Sequence, residues 1–181
     1  MKKPFRRFVL LWTMLLLLIA CADRIVEQAD CYRISETSPQ EYRYEVYSAS
    51  GRRIDRGETY RYAPKFIKLD ADMLKMTLGN GTNTYDCVYY RLLDGRKSEA
   101  YANAIAECGD YVLYTNTENG RTVLVAEKLF DRKATPYRYT IPGLGDSVTF
   151  DSVSVNTQSN TVALRYINRE GTGQSFLVTL P

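Results

Sequence analysis

Along most of the chain apolar and polar residues alternate at every second position, the period of a half-buried strand and not of a helix. Tyr42, Tyr44 and Val46 fall on one face with Arg43 and Glu45 on the other. Residues 85–93 form a similar segment, with Tyr85, Cys87 and Tyr89 on one side and Asp86, Val88, Tyr90 and Leu92 on the other. Further strands are predicted over 31–35, 53–62, 65–69, 73–78, 111–116, 122–130, 137–141, 148–155, 161–168 and 174–180. Turn residues separate them: the 36–40 cluster around Pro39, Ser48 to Gly51, Asp70-Ala71-Asp72, Asn80-Gly81, Asp94-Gly95 and Glu118-Asn119-Gly120. Asn-Gly suits a two-residue hairpin because both residues accept positive φ. Only Ala100 to Cys108 has helical composition; at nine residues it is marginal for a helix, and a strand is the close alternative.

About a dozen short strands with such turns between them predict an all-β fold of consecutive antiparallel hairpins and meanders. Arg91-Leu92-Leu93-Asp94 and Lys128-Leu129-Phe130-Asp131 each close a strand, 37 residues apart. That period is the size of one propeller blade. Blade-like, partial propeller-type sheets are therefore expected, with a β-sandwich as the alternative.

The N-terminus follows a different pattern. Lys2, Lys3, Arg6 and Arg7 precede an apolar run of thirteen residues, Phe8 to Ala20, interrupted only by Thr13. A span needs about 20 apolar residues, so this run fits a secretory signal better. Leu18-Ile19-Ala20-Cys21 resembles the lipobox of bacterial lipoprotein precursors. The resemblance implies a diacylglyceryl thioether on Cys21, cleavage after Ala20 and acylation of the new amino group. Two or three acyl chains hold far more firmly than one, at roughly 0.8 kcal/mol per buried CH₂. The expected organisation is a signal peptide at 1–20, a lipidated tether at 21–30 and a single all-β domain at 31–181. Its expected place is the extracytoplasmic side of a bacterial envelope membrane.

Removal of the signal leaves 20 Lys and Arg against 21 Asp and Glu, a net charge of −1. The basic footprint of a nucleic-acid binder is thus absent. Histidine is absent as well, which excludes Ser-His and Cys-His nucleophile pairs and histidine metal ligands. Cys31, Cys87 and Cys108 remain after Cys21. An oxidising address permits one disulfide, and Cys87 with Cys108, the nearest pair, is preferred; three thiols are the other reading. No C-x-x-C pair suggests zinc, and no cofactor is expected.

Fifteen tyrosines are the conspicuous feature of the composition. Tyr42, Tyr44, Tyr47, Tyr60, Tyr62, Tyr85, Tyr89, Tyr90, Tyr101, Tyr111 and Tyr114 lie in or beside expected strands. Strand preference accounts for most of them. An aromatic row that stacks on sugars is the functional alternative. Asp70 and Asp72 form a D-x-D pair that lacks the further ligands of a calcium loop, and Asp94 and Asp131 read as turn caps. Gly143-Leu144-Gly145-Asp146 lacks the third glycine of a phosphate loop, and Asn80-Gly81-Thr82 is a hairpin turn first and a glycosylation acceptor only by pattern.

These readings converge on a lipid-anchored domain that binds or scaffolds at the envelope, with a protein or polysaccharide partner. A carbohydrate or cell-wall module is the second form, and a carboxylate-based hydrolase the remaining class. Cys21→Ser is expected to abolish lipid attachment, checked by metabolic labelling with radioactive palmitate. Undiminished label would refute the lipobox assignment.

Overall fold

The computed structural model describes residues 23–79, 84–141, 150–168 and 170–181. The lipobox, Asn80-Gly81-Thr82 and the Gly143 to Asp146 loop lie outside them. Among the described residues all elements are strands, and they form four antiparallel sheets in strict chain order, none closed into a barrel. The chain divides into two compact units, one ending at Pro64 and one running from Lys65 to Pro181.

The first unit holds β1 (Arg24–Ala29), β2 (Tyr32–Ser38), β3 (Glu41–Tyr47) and β4 (Arg53–Tyr60), paired in that order. Ile34, Tyr44 and Val46 are buried on one face, as the alternation predicts. On the other, Arg43 reaches Asp23 at 2.8 Å and Glu58 at 3.1 Å. Gly57 sits opposite Tyr44, whose ring lies over the glycine where a side chain would stand. A Cβ built at Gly57 falls 2.5 Å from the Tyr44 hydroxyl oxygen. Part of the expected tether is a strand: β1 pairs with β2 although all six of its residues are exposed. Backbone hydrogen bonds hold it, so the hydrophobic pattern carries no trace of it.

The second unit stacks three sheets. β5 (Lys65–Lys68), β6 (Met73–Gly79), β7 (Tyr85–Arg91) and β8 (Arg96–Ala102) form the second sheet. β9 (Ala104–Cys108), β10 (Tyr111–Glu118), β11 (Arg121–Lys128) and β12 (Tyr137–Tyr139) form the third, and β13 (Phe150–Asn156), β14 (Thr161–Ile167) and β15 (Gly173–Thr179) the fourth. Asn119 and Gly120, at φ of 52° and 72°, close the β10–β11 hairpin as two mirror-image turn residues.

Two apolar clusters lie on either side of the third sheet. Val112 and Ala104 pack with Met73, Cys87 and Tyr89 of the second sheet. Leu113, Leu124, Ala126 and Cys108 pack with Val162, Leu164 and Val178 of the fourth. Neighbouring residues Val112 and Leu113 thus enter different clusters, because successive side chains of a strand point to opposite faces. In the stretch of helical composition the faces switch at the register shift of β9 against β10, so Ala104 joins the cluster with the second sheet and Ala106 and Cys108 that with the fourth. Ala104, Ala106 and Cys108 are buried with Ile105 and Glu107 half-buried between them, and Asn103, at φ 50°, breaks the chain into β8 and β9. Its amide donates to Tyr85 O at 2.8 Å and its side-chain oxygen accepts from Tyr85 N at 3.2 Å.

The tetrapeptide repeat marks equivalent places. Leu92 N donates to Asp72 O and Leu129 N to Asp110 O, both at 2.7 Å, and both leucines are buried. Each bond joins the residue after the third strand of a sheet to the residue before its second. Leu180 N to Asn160 O, at 2.8 Å, repeats it in the fourth sheet.

Gly57→Ala is expected to destabilise the first unit by about 1–3 kcal/mol, since the added methyl must displace the Tyr44 ring. Urea denaturation read by tyrosine fluorescence checks this, and a smaller loss from Gly57→Ala in a Tyr44→Ala background than in the wild-type chain identifies the clash as the cause.

Candidate functional site

The polar side chains between the second and third sheets form a connected seam. Alternation along β7, β8 and β10 aims Tyr89, Tyr101 and Tyr114 into the space between the sheets. Ring centroids are 5.9 Å apart for Tyr89 and Tyr101 and 5.4 Å for Tyr101 and Tyr114, both tilted. The Tyr89 hydroxyl donates to Glu107 Oε1 at 2.6 Å, and the Lys75 ammonium pairs with the same oxygen at 2.5 Å. Glu127 accepts from Tyr114 at 2.9 Å and from Tyr101 at 3.3 Å. A carboxylate taken from water needs such donors to remain charged. Burial, then the Glu127 hydrogen bond and charge, pushes the Tyr114 phenol up to about 12. Tyr101 is raised by burial and then by Glu127, and Tyr89 by burial and then by Glu107. Lys75 is pulled down by burial, but its bond and attraction to Glu107 leave it raised.

One end of the seam opens into a cleft of about 380 Å³ between β8 and the segment that follows β11. Its walls carry Arg96, Lys97, Lys128, Arg132 and Lys133 against the carboxylates of Glu99, Glu127 and Asp131. Glu127 is already bound by two phenols, Arg132 pairs with Glu99, and Asp131 Oδ1 accepts from Lys133 N at 3.2 Å. Lys128 and Lys133 have no ion pair among the described residues. Phe130 stands in the cleft wall at φ 62°, a conformation that costs an ordinary residue about 1–2 kcal/mol. The guanidinium groups of Arg91 and Arg96 lie 4.9 Å and 5.7 Å from its ring centre, so the ring holds two cations in place by its face. Both guanidinium groups are also ion-paired, Arg96 with Asp94 at 2.6 Å and Arg91 with Asp94 and Asp110 at 3.9 Å, so the charge the cleft can offer an anion is chiefly that of Lys128 and Lys133.

The residues singled out in the sequence are placed elsewhere. Asp70 Oδ1 accepts from the amides of Asp72 and Met73 at 2.7 Å and 2.8 Å, and Asp72 accepts from Leu93 N, so the D-x-D pair caps a turn. Asp94 accepts from Arg96 N and Nε, also as a turn cap. Cys87 and Cys108 are free thiols and are not brought together: Cys87 belongs to the cluster between the second and third sheets, Cys108 to that between the third and fourth. Burial raises both thiols, which keeps them protonated and unreactive. Cys31 is half-buried at the β1–β2 turn. Of the tyrosines singled out in the sequence, Tyr60 and Tyr62 are exposed, Tyr44, Tyr89, Tyr90 and Tyr101 are buried and the others half-buried; Tyr137 of β12 is exposed as well. An outward aromatic row of the kind a sugar platform needs is not found among them.

The cationic cleft had a sequence signal, though not a motif. Arg96-Lys97 and Arg132-Lys133 are basic doublets that follow the two repeat-related tetrapeptides, and the fold of one sheet over the next brings both doublets to one cleft. No protein-family model and no curated protein matches this chain.

The seam ties stability to pH with a definite sign. Tyr114 titrates higher folded than its ordinary value of 10, so its contribution is complete below pH 10 and is lost as pH rises toward 12. Tyr101, Tyr89 and Lys75, all raised, act in the same direction. The urea midpoint is expected to be flat from pH 7 to 9 and to fall above 10. Tyr114→Phe is expected to weaken that alkaline fall, and a midpoint that rises above pH 10 would contradict the assignment.

Proposed function

We propose that the protein is a lipid-anchored extracytoplasmic β-protein that works by binding, with no chemistry of its own, and that the cleft between β8 and the segment after β11 is its binding surface. The occupant best suited to it is a carboxylate-rich segment of another envelope protein. The observation that carries this reading is the excess of cations in the cleft of a mature chain whose overall charge is −1. Lys128 and Lys133 supply ammonium groups with no ion pair among the described residues, while Arg91 and Arg96 are held on the Phe130 ring. Prior immobilisation of the Arg96 guanidinium in the cleft wall lowers the entropy lost when an anion is bound there. The acids that line the cleft each have a donor already, which favours retention of a ligand over proton transfer to it.

Because exposed charges are screened, affinity for such a segment is expected to fall as salt rises. The measurement is fluorescence anisotropy of a labelled oligoglutamate peptide with the full chain in detergent micelles. Lys128→Glu with Lys133→Glu is expected to weaken binding by about tenfold or more, a loss of roughly 1.4 kcal/mol, without moving the urea midpoint. Equal affinity in wild type and variant would remove the cleft from consideration.

A further inference from the structure

We infer that the free edge of β15 is a self-association site, at which two copies of this chain pair their β15 strands antiparallel about a two-fold axis through Ser175. The first, second and third sheets each have four strands, and the bond from the residue after the third strand to the residue before the second recurs in the fourth sheet. By that correspondence β13, β14 and β15 are strands one to three. The outer edge of β15 is therefore the place occupied elsewhere by β4, β8 and β12, and no described strand pairs with it.

Edge strands are ordinarily protected against pairing by charge, bulges or shortness. Every other described edge has such protection. β1 carries Arg24 and Glu27, β4 carries Arg53, Asp55, Arg56 and Glu58, and β8 carries Arg96, Lys97 and Glu99. β5 has four residues with two lysines, β9 five with Glu107, β12 three with Arg138, and β13 has Asp151 at a bulge. Strand β15, Gly-Gln-Ser-Phe-Leu-Val-Thr, has seven residues, no charge, no proline and an unbroken register with β14. An uncharged edge offers no charge to hold a second strand off, and the residue on the axis, which alone meets its own copy, is the small Ser175.

Register selects the axis. Leu180 N bonds Asn160 O and Asn168 N bonds Thr172 O, so the even-numbered residues of β15 spend their backbone groups on β14. Gly173, Ser175, Leu177 and Thr179 then turn theirs outward. Thr179 O already accepts from the Tyr139 hydroxyl at 3.1 Å. Pairing centred on Ser175 sets Gly173 against the partner's Leu177, Ser175 against the partner's Ser175 and Leu177 against the partner's Gly173, and leaves Thr179 to Tyr139. It also covers apolar surface. Leu177 is 62% exposed and Ile167 58%, Ile167 pairs with Gly173, and a Cβ at Gly173 would meet only open space. The partner's Leu177 enters that space beside Ile167 on the same face, twice over by symmetry.

The test uses the full chain in its membrane with Ser175→Cys and a short bis-maleimide. Opposed residues of a hydrogen-bonded pair stand about 5.5 Å apart at Cα, so a band at twice the chain mass is expected on a reducing gel. Thr179→Cys, placed far from its own copy in this register, is expected to give none, as is the unsubstituted chain. Leu177→Lys and Ser175→Cys together are expected to lose the band, and Leu177→Lys alone to keep the wild-type strand content by circular dichroism, because the side chain is exposed in the single chain and its loss does not unfold the sheet. No Ser175→Cys dimer, an equal band from Thr179→Cys, or a product heavier or lighter than two copies would overturn the inference. None of these outcomes involves the cleft, so the binding reading stands or falls separately.

Discussion

The third sheet of the second unit must satisfy two faces at once, and most of that unit depends on this constraint. A half-exposed sheet needs apolar residues at every second position, whereas a sheet with neighbours on both sides needs them nearly everywhere. β10 and β11 meet the demand with Val112 and Leu113, and with Leu124, Val125 and Ala126, all buried. Burial of one such side chain contributes roughly 1.5–3 kcal/mol, which makes this double-faced layer the main source of cohesion between the sheets around it.

Between the second and third sheets the polar side chains among the described residues are paired. Glu107 and Glu127 alternate out of the apolar positions of β9 and β11 and meet phenols from the second sheet and from β10. Each of those tyrosines fills core volume with its ring and supplies a donor at its tip, so the same residue type closes the apolar cluster and neutralises the desolvation of the acids. Beyond Glu127 the acids are outnumbered by cations, and the interior seam becomes the floor of the cleft. Core and candidate site are thus continuous.

Much of the architecture was legible from local chemistry. Asn119-Gly120 marks its hairpin because few residues tolerate two successive positive φ values, and Asp70-Ala71-Asp72 marks a turn that Asp70 caps. The tetrapeptide repeat pointed to sheets of one kind following one another, which is the topology found. β1 was not legible, since an exposed strand held through its backbone leaves no apolar period. Nor was the division of Ala100 to Cys108 into two strands, because alanine-rich composition favours helix and only the tertiary packing of Ala104, Ala106 and Cys108 overrides it. The cleft was not legible for a different reason. Its basic doublets lie more than thirty residues apart in sequence, and nothing short of the stacking of the sheets shows that they share one space.

Asn103 is the whole connection between the second and third sheets, since β8 ends at Ala102 and β9 begins at Ala104. A single residue gives the chain no slack with which to slide one layer over the other or to open them like a book. Tyr101 and Ala104, on either side of it, belong to the same apolar cluster, so any rotation at this corner would tear that cluster apart. The width of the cleft is accordingly a property of the folded corner itself, and a ligand would meet a jaw of preset gape.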